Sequence, residues 1–342
     1  MRFPVVLLSL VILFSVTMSQ IPKSAYVVNG LGESLTIIDL QNQTVLQPPK
    51  ILGLYPNDIK IAGNRAYVIN SGFNDIQIFD LNTQSSTGSI DLGNGTNPYR
   101  MDFVNDSIAA VSMWLVDSVY FVNTHSRQVI RRVPVGTSPE GIKYYQGKVY
   151  VANSGYTAAG YDAGKVSVID LNNYQVSEIA VNTNPQSLAV DTSGHLIASC
   201  SGDYQTIGAH LDFIDISGDS VVFSEVVNIP LLESIWQIVV NSRNELYVGT
   251  YGAGVLVYDT GQKIFIRDET NPLSGGPALA LDNQDNVYVT NFISDSVHVY
   301  SPTYQNIADY LVGSGPLAIA VYDPTSTPVQ QPVSMVPEVT EL

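Results

Sequence analysis

Positive charge is scarce in this chain. Lys and Arg together number 15 against 31 Asp and Glu, a formal net charge of −16 over 342 residues. A surface of that sign repels phosphate backbones and anionic lipid, so neither nucleic acid nor a membrane surface is an expected partner. Cysteine is almost missing. Cys200 stands alone, so no intrachain disulfide forms and stability must come from buried area. It closes a strand pattern beside Ala198 and Ser199 and reads as a buried, inert thiol. The four histidines, His125, His195, His210 and His298, fall in separate turns and strands, too dispersed to converge on zinc or copper. The chain has no Gly-x-Ser-x-Gly elbow, phosphate-binding loop or dinucleotide fingerprint in a strand-to-helix setting. Beyond the first residues no apolar run is long enough to span a bilayer.

What is present is a repeat. The stretch Lys148–Leu171 holds two alternating apolar runs flanking a Tyr/Gly-rich loop, a β-hairpin pattern. Equivalent pairs occur at Tyr26-Val27, Tyr67-Val68, Ala109-Ala110, Tyr150-Val151, Ile197-Ala198, Tyr247-Val248 and Tyr288-Val289, with spacings of 41, 42, 41, 47, 50 and 41 residues. A period near 40–45 with strand patterning throughout predicts propeller blades rather than helical repeats. The two long intervals come from extra loop at Gly155–Gly164 and Gly202–His210, which places both insertions on one face of a disc. Each unit parses into four strands, the first opening on a Pro or Gly turn as at Pro56, Pro98, Pro139, Pro185, Gly276 and Pro316. The copy near Tyr26 lacks a first strand, and Pro316–Val321 is a first strand with nothing after it. The fold expected is therefore all-β: a seven-bladed propeller of four-stranded blades, closed by the C-terminal strand joining the N-terminal blade.

Residues 1–19 read as a signal peptide, with Arg2 as its basic start, Val5–Val16 as a short apolar core, and Thr17 and Ser19 before a cut at Gln20. Loss of Arg2 would take the charge from −16 to −17. Residues 20–323 hold the propeller, and 324–342, with Pro324, Pro328, Pro332 and Pro337, read as an extended tail without a fold. The expected location is periplasmic, extracellular or at the cell surface, with no membrane insertion once the leader is removed, and the expected state is a monomer.

Tyr67-Val68-Ile69-Asn70-Ser71-Gly72, Tyr150-Val151-Ala152-Asn153-Ser154-Gly155 and Tyr288-Val289-Thr290-Asn291, with Val-Ile-Asp-Leu and Val135–Gly141, resemble the YVTN-type β-propeller repeat of prokaryotic surface-layer-like proteins. The resemblance runs from about Ala25 to Tyr322. It implies an extracytoplasmic binding or surface protein without a shared catalytic motif. Blades 3 and 5 depart from it at Ala109-Ala110 and Ile197-Ala198.

The repeated Tyr-Val pairs belong to the core. The following Asn residues (Asn29, Asn70, Asn153, Asn291) are expected to shape the next turn through their own backbone, and Asp39, Asp80 and Asp170 to initiate turns. Candidate function therefore falls on the face holding the fourth-to-first and second-to-third strand loops, here called the mouth face. One equivalent first-strand position holds Asn57, Tyr99, Glu140, Gln186, Trp236, Pro277 and Leu317, and the next holds Asp58, Arg100, Gly141, Ser187 and Gln237. Trp114, Tyr156, Tyr161, Tyr204, Tyr251 and Phe292 sit in neighbouring loops. Aromatic faces with scattered polar groups suit capture of a protein, peptide or glycan. The ligand-binding candidates are Asn57, Asp58, Tyr99, Arg100, Trp114, Glu140, Tyr156, Gln186, Tyr204 and Trp236, with no catalytic residue or cofactor assigned. Two alternatives stand beside this reading. One is a hydrolase or lyase of the calcium-dependent lactonase type, with Glu140, Asn57 and Asp58 as metal ligands. The other is a structural surface-layer module.

Overall fold

A computed structural model describes residues 21–325. The leader and all but the first two residues of the tail lie outside them. Seven antiparallel four-stranded sheets follow one another around a ring. Their innermost strands are Pro56–Ala62, Pro98–Phe103, Pro139–Tyr145, Pro185–Val190, Ile235–Val240, Leu279–Leu281 and Pro316–Tyr322. The last of these pairs with Ser24–Asn29, in register from Ser24 opposite Tyr322 to Asn29 opposite Pro316, and completes blade 1. Lys23 fastens the seam, its Nζ 2.9 Å from Asp282 of blade 7 and 3.2 Å from Asp323.

The alternation explains the packing. Each sheet is apolar on both sides because each lies between two others, and the buried clusters span neighbouring blades. Tyr26, Tyr67, Tyr150, Tyr247 and Tyr288 are all buried. The two departures from the Tyr-Val pattern are filled from across the ladder. Tyr120 lies on the same side as Ala109 in blade 3, and Phe213 pairs directly with Ile197 in blade 5. Cys200 is fully buried, its Sγ 3.7 Å from Asp212, and burial pushes its thiol pKa up.

Some local expectations need correction. Of the recurring Asn residues, Asn291 bonds its own turn, accepting the Ile293 and Ser294 N–H groups at 3.2 and 3.1 Å, whereas the other three reach elsewhere. Asn29 donates from Nδ2 to Thr36 Oγ1 at 2.9 Å, and Asn153 donates to Ser167 Oγ at 2.9 Å, both on the third strand. Asn70 accepts the Gly53 N–H at 3.2 Å, clamping the preceding fourth-to-first loop. That loop needs glycine because a Cβ on Gly53, Gly136 or Gly313 would lie 2.5–2.7 Å from the Asn side chain. The inner strand of blade 7 starts at Leu279, not Gly276, since Gly275 and Gly276 adopt positive φ and Pro277 lacks an N–H. The loop after Asn153 is not irregular throughout: Tyr156–Thr157 and Gly160–Tyr161 form a small hairpin. The aspartates do initiate turns, as where Asp80 Oδ1 accepts the N–H groups of Asn82 and Thr83, each at 2.9 Å.

Candidate functional site

Inner strands begin at the mouth face, so their second residues form a ring there. Ring contacts link the aromatic candidates into two arcs. In one, Tyr99 lies 6.0 Å from Trp236, Trp236 5.3 Å from Tyr251, and Tyr251 5.7 Å from Phe292. In the other, Trp114 stacks on Tyr156 at 5.8 Å, Tyr156 meets Tyr161 at 5.4 Å, and Tyr161 meets Tyr204 at 5.8 Å. Gln186 joins the second arc, donating to Tyr204 Oη at 3.1 Å and accepting from Ser201 Oγ at 3.0 Å.

Arg100 sits under the first arc. Its guanidinium carbon is 4.5 Å from the Trp236 ring centroid, and Nη2 donates to the Trp236 carbonyl at 3.3 Å. Its Nη1 lies 3.7 Å from Asp58, whose other oxygen accepts the Met101 N–H at 3.0 Å. Asp58 is thereby a structural anchor between blades 2 and 3. Asn57 donates to the Ser71 hydroxyl, which in turn donates to the Pro98 carbonyl at 2.8 Å. Trp236 donates its indole N–H to the Leu317 carbonyl at 3.0 Å and packs against the cluster between blades 7 and 1. It is thus part of the ring's structure as well as of the mouth.

Glu140 is only 7% exposed. Burial pushes its carboxyl up to about 7, against the opposing pull of the Ser154 hydroxyl, Arg100 and the Trp114 indole. Among the described residues no group of three or more His, Cys, Asp or Glu is placed to hold a metal ion. Asp58 is committed to Arg100 and to the Met101 N–H, and Glu140 to a separate, drier environment. The aromatic rings line the mouth in these two arcs. A cavity of 330 Å³ lies beneath them in the central channel, roofed by Arg100 and running past Lys143 and Leu188 toward Val190 and Val240 at the far ends of the inner strands.

Sequence reasoning missed the rim. Large apolar side chains stand exposed in six of the seven second-to-third strand loops: Leu31, Phe73, Leu115 with Val116, Tyr156, Ile207 and Ile293. Fourth-to-first loops add Leu54, Tyr55, Leu231 and Leu232. The remaining exposed large apolar residues lie on outer strands, and none is in a turn of the opposite face. The mouth-face loops also carry eight carboxylates, among them Glu33, Asp117, Asp203, Glu233 and Asp295, and no Lys, Arg or His. The opposite turns do carry cations, Arg127, Arg243 and Lys263. The signal was available as an exposed apolar residue within two positions of an acid in four loops, at Leu31, Leu115, Leu232 and Ile293, but loop residues carry no periodicity to draw attention to it.

No family model matches the sequence, and no curated protein matches it. Solved structures do. Hydrazine synthase from Kuenenia stuttgartiensis is similar with a TM-score of 0.67 at 20% identity, over 77% of this chain and 88% of that one. A functionally unknown protein from Desulfotomaculum acetoxidans gives 0.66 at 15% identity, over 87% and 98%. Virginiamycin B lyase from Staphylococcus aureus gives 0.60 at 11% identity, over 75% and 84%. At these identities the likeness is one of architecture, and the architecture is that of a seven-bladed β-propeller.

Proposed function

We propose that this chain is an exported, non-enzymatic propeller of the YVTN-repeat kind that captures a protein, peptide or glycan on its mouth face. The observation that carries this reading is that, among the loops and turns, exposed large apolar side chains stand on that face alone. Loops that merely connect strands have no reason to display Leu232 at 84% exposure or Ile293 at 82% while no opposite turn holds an exposed large apolar side chain. Tyr156, 44% exposed, extends the same surface into the aromatic arc. Because the rings occupy the mouth, the surface suits a broad contact more than an enclosed small molecule. The acidic charge supports a partner other than nucleic acid or an anionic membrane surface, and the reading takes the chain as a monomer without a bound metal.

The test compares capture by the wild-type protein, a Tyr156→Ser/Leu232→Ser variant and an Arg65→Ala variant, using an immobilised protein against exported proteins and a glycan array. The mouth-face variant should lose the captured species and the Arg65 variant should keep it. Loss with Arg65→Ala alone would place the site on the other face.

A second reading is favoured by Glu140, a buried carboxyl with a pKa of about 7 beside Arg100, suited to general acid–base work. Virginiamycin B lyase shares the fold, and a histidine-to-alanine variant of it is described as catalytically inactive with quinupristin. In this chain His210 stands at the mouth-face end of the strand Ala209–Asp215, its Nδ1 3.1 Å from the Gly208 carbonyl oxygen. Turnover of a depsipeptide or lactone that disappears in Glu140→Gln would favour the enzyme reading, and a requirement for calcium would favour its lactonase form.

A further inference from the structure

We infer that the partner taken on the mouth face is a cationic, amphipathic polypeptide segment, with Lys or Arg interleaved among large apolar side chains. This rests on the mouth-face reading and adds the partner's chemistry to it. Three observations select that chemistry. The exposed apolar residues project from loop tips around the ring rather than lying in one groove. Together they present on the order of 1,000 Å² of residue surface, against about 800 Å² that one partner contributes to a standard interface. Such a surface rewards large apolar side chains, which a polar glycan lacks. Around the same ring the loops hold eight carboxylates without a single Lys, Arg or His.

Five of those carboxylates, Asp117, Asp203, Glu233, Asp268 and Asp295, accept backbone N–H groups. Asp117 accepts the Ser138 N–H at 2.8 Å, Asp295 accepts the Gly315 N–H at 2.7 Å, and Glu233 accepts the Gly252 N–H at 2.8 Å. In each, one carboxylate oxygen secures a neighbouring loop, which fixes where that acidic group stands on the face. Apolar tips and carboxylates share one face, which complements a segment that carries both apolar and basic residues. A second copy docked face to face would set one acidic ring against another, and an anionic bilayer would be repelled.

The experiment measures binding of the purified protein to a helical Leu/Lys peptide, to its Leu/Glu counterpart, and to vesicles of anionic and of zwitterionic lipid, at low and physiological salt. The Leu/Lys peptide should bind, more weakly as salt rises, and the Leu/Glu peptide and both vesicles should not. Two variants locate it. Leu232→Ser/Ile293→Ser removes the two most exposed tips, and Glu33→Lys/Asp162→Lys/Glu269→Lys reverses carboxylates that hold no backbone N–H in the structure. Each should weaken Leu/Lys binding about tenfold or more, while Val222→Ser on an outer strand should leave it unchanged. Thermal melting of every variant confirms that it is folded. Equal binding of the Leu/Glu peptide, vesicle binding, face-to-face dimerisation, or indifference to the charge reversal overturns the inference. If a neutral or acidic ligand is captured and is lost in Leu232→Ser/Ile293→Ser, the mouth-face reading stands and the cationic partner falls. If Leu/Lys binding survives both mouth variants, both fall.

Discussion

Glu140 offers a sharp test because its effect can be worked out from its surroundings. Its carboxyl moves from an ordinary 4.5 to about 7, with burial as the leading cause. A group whose folded pKa is raised holds its proton more tightly in the folded state. Its contribution to stability is fully present below pH 4.5 and is lost as pH rises toward 7 and beyond. At 1.36 kcal/mol per unit the loss comes to about 3 kcal/mol. Glu140→Gln keeps the shape and removes the titration. Near pH 5 the two proteins should have similar stability, and near pH 8.5 the variant should be more stable by about 2–3 kcal/mol. Urea unfolding followed by tryptophan fluorescence at several pH values gives both curves. The other titrating groups are common to both proteins, so the difference curve isolates Glu140. A difference that stays flat between pH 5 and 8.5 would show that the carboxyl is hydrated and the reasoning wrong.

Removal of residues 314–342 should strip the inner strand from blade 1. Buried Ala318 and Ile319 and partly buried Leu317, Val321 and Tyr322 are lost, at roughly 1.5–3 kcal/mol for each large side chain fully buried. The truncated protein should aggregate or melt far below the full chain by circular dichroism, whereas removal from residue 326 onward should leave the melt unchanged. Trp236→Ala should cost about 2–4 kcal/mol in chemical denaturation, because it takes away a hydrogen bond to Leu317 and packing against blades 7 and 1. Gly164→Ala should destabilise by about 1–3 kcal/mol, its Cβ falling 1.8 Å from the Asn182 carbonyl oxygen, while Gly208→Ala, with open space, should be near neutral.

The ring was legible in the sequence because a blade is a local unit with a local pattern. Tyr150-Val151 and Ile169-Asp170-Leu171 state two strands and the turn after them, and the unmatched strand at Pro316 states the closure. The register of the mouth followed, since Tyr99, Glu140 and Trp236 hold the same place in their strands. The environment of each was harder to read. Trp236 was named only as a ligand-binding candidate, yet its indole reaches the Leu317 carbonyl in another blade, a contact set by how sheets twist past one another. Asp58 was a candidate metal ligand, and its ties to Arg100 and the Met101 N–H depend on interblade geometry that no single repeat encodes. The exposed tips at Leu232 and Ile293 lie in loops whose lengths vary, where alignment by period gives no guide.

The closure of blade 1 has a consequence for the order in which the molecule forms. Ser24 finds its partner in Tyr322, so the earliest-made strands wait for nearly the whole chain to be synthesised. Until then six blades can stack as an arc with an apolar sheet side bare at each end. Blade 1 meanwhile holds three strands with an open backbone edge. Such an arc is exposed to pairing with another chain's strand Pro316–Tyr322, which would yield exchanged or linked rings instead of closed ones. The return of this one short strand is the pairing of greatest sequence separation in the ring. Local concentration favours the chain's own strand over a neighbour's in dilute protein, and that advantage shrinks as the arcs become crowded.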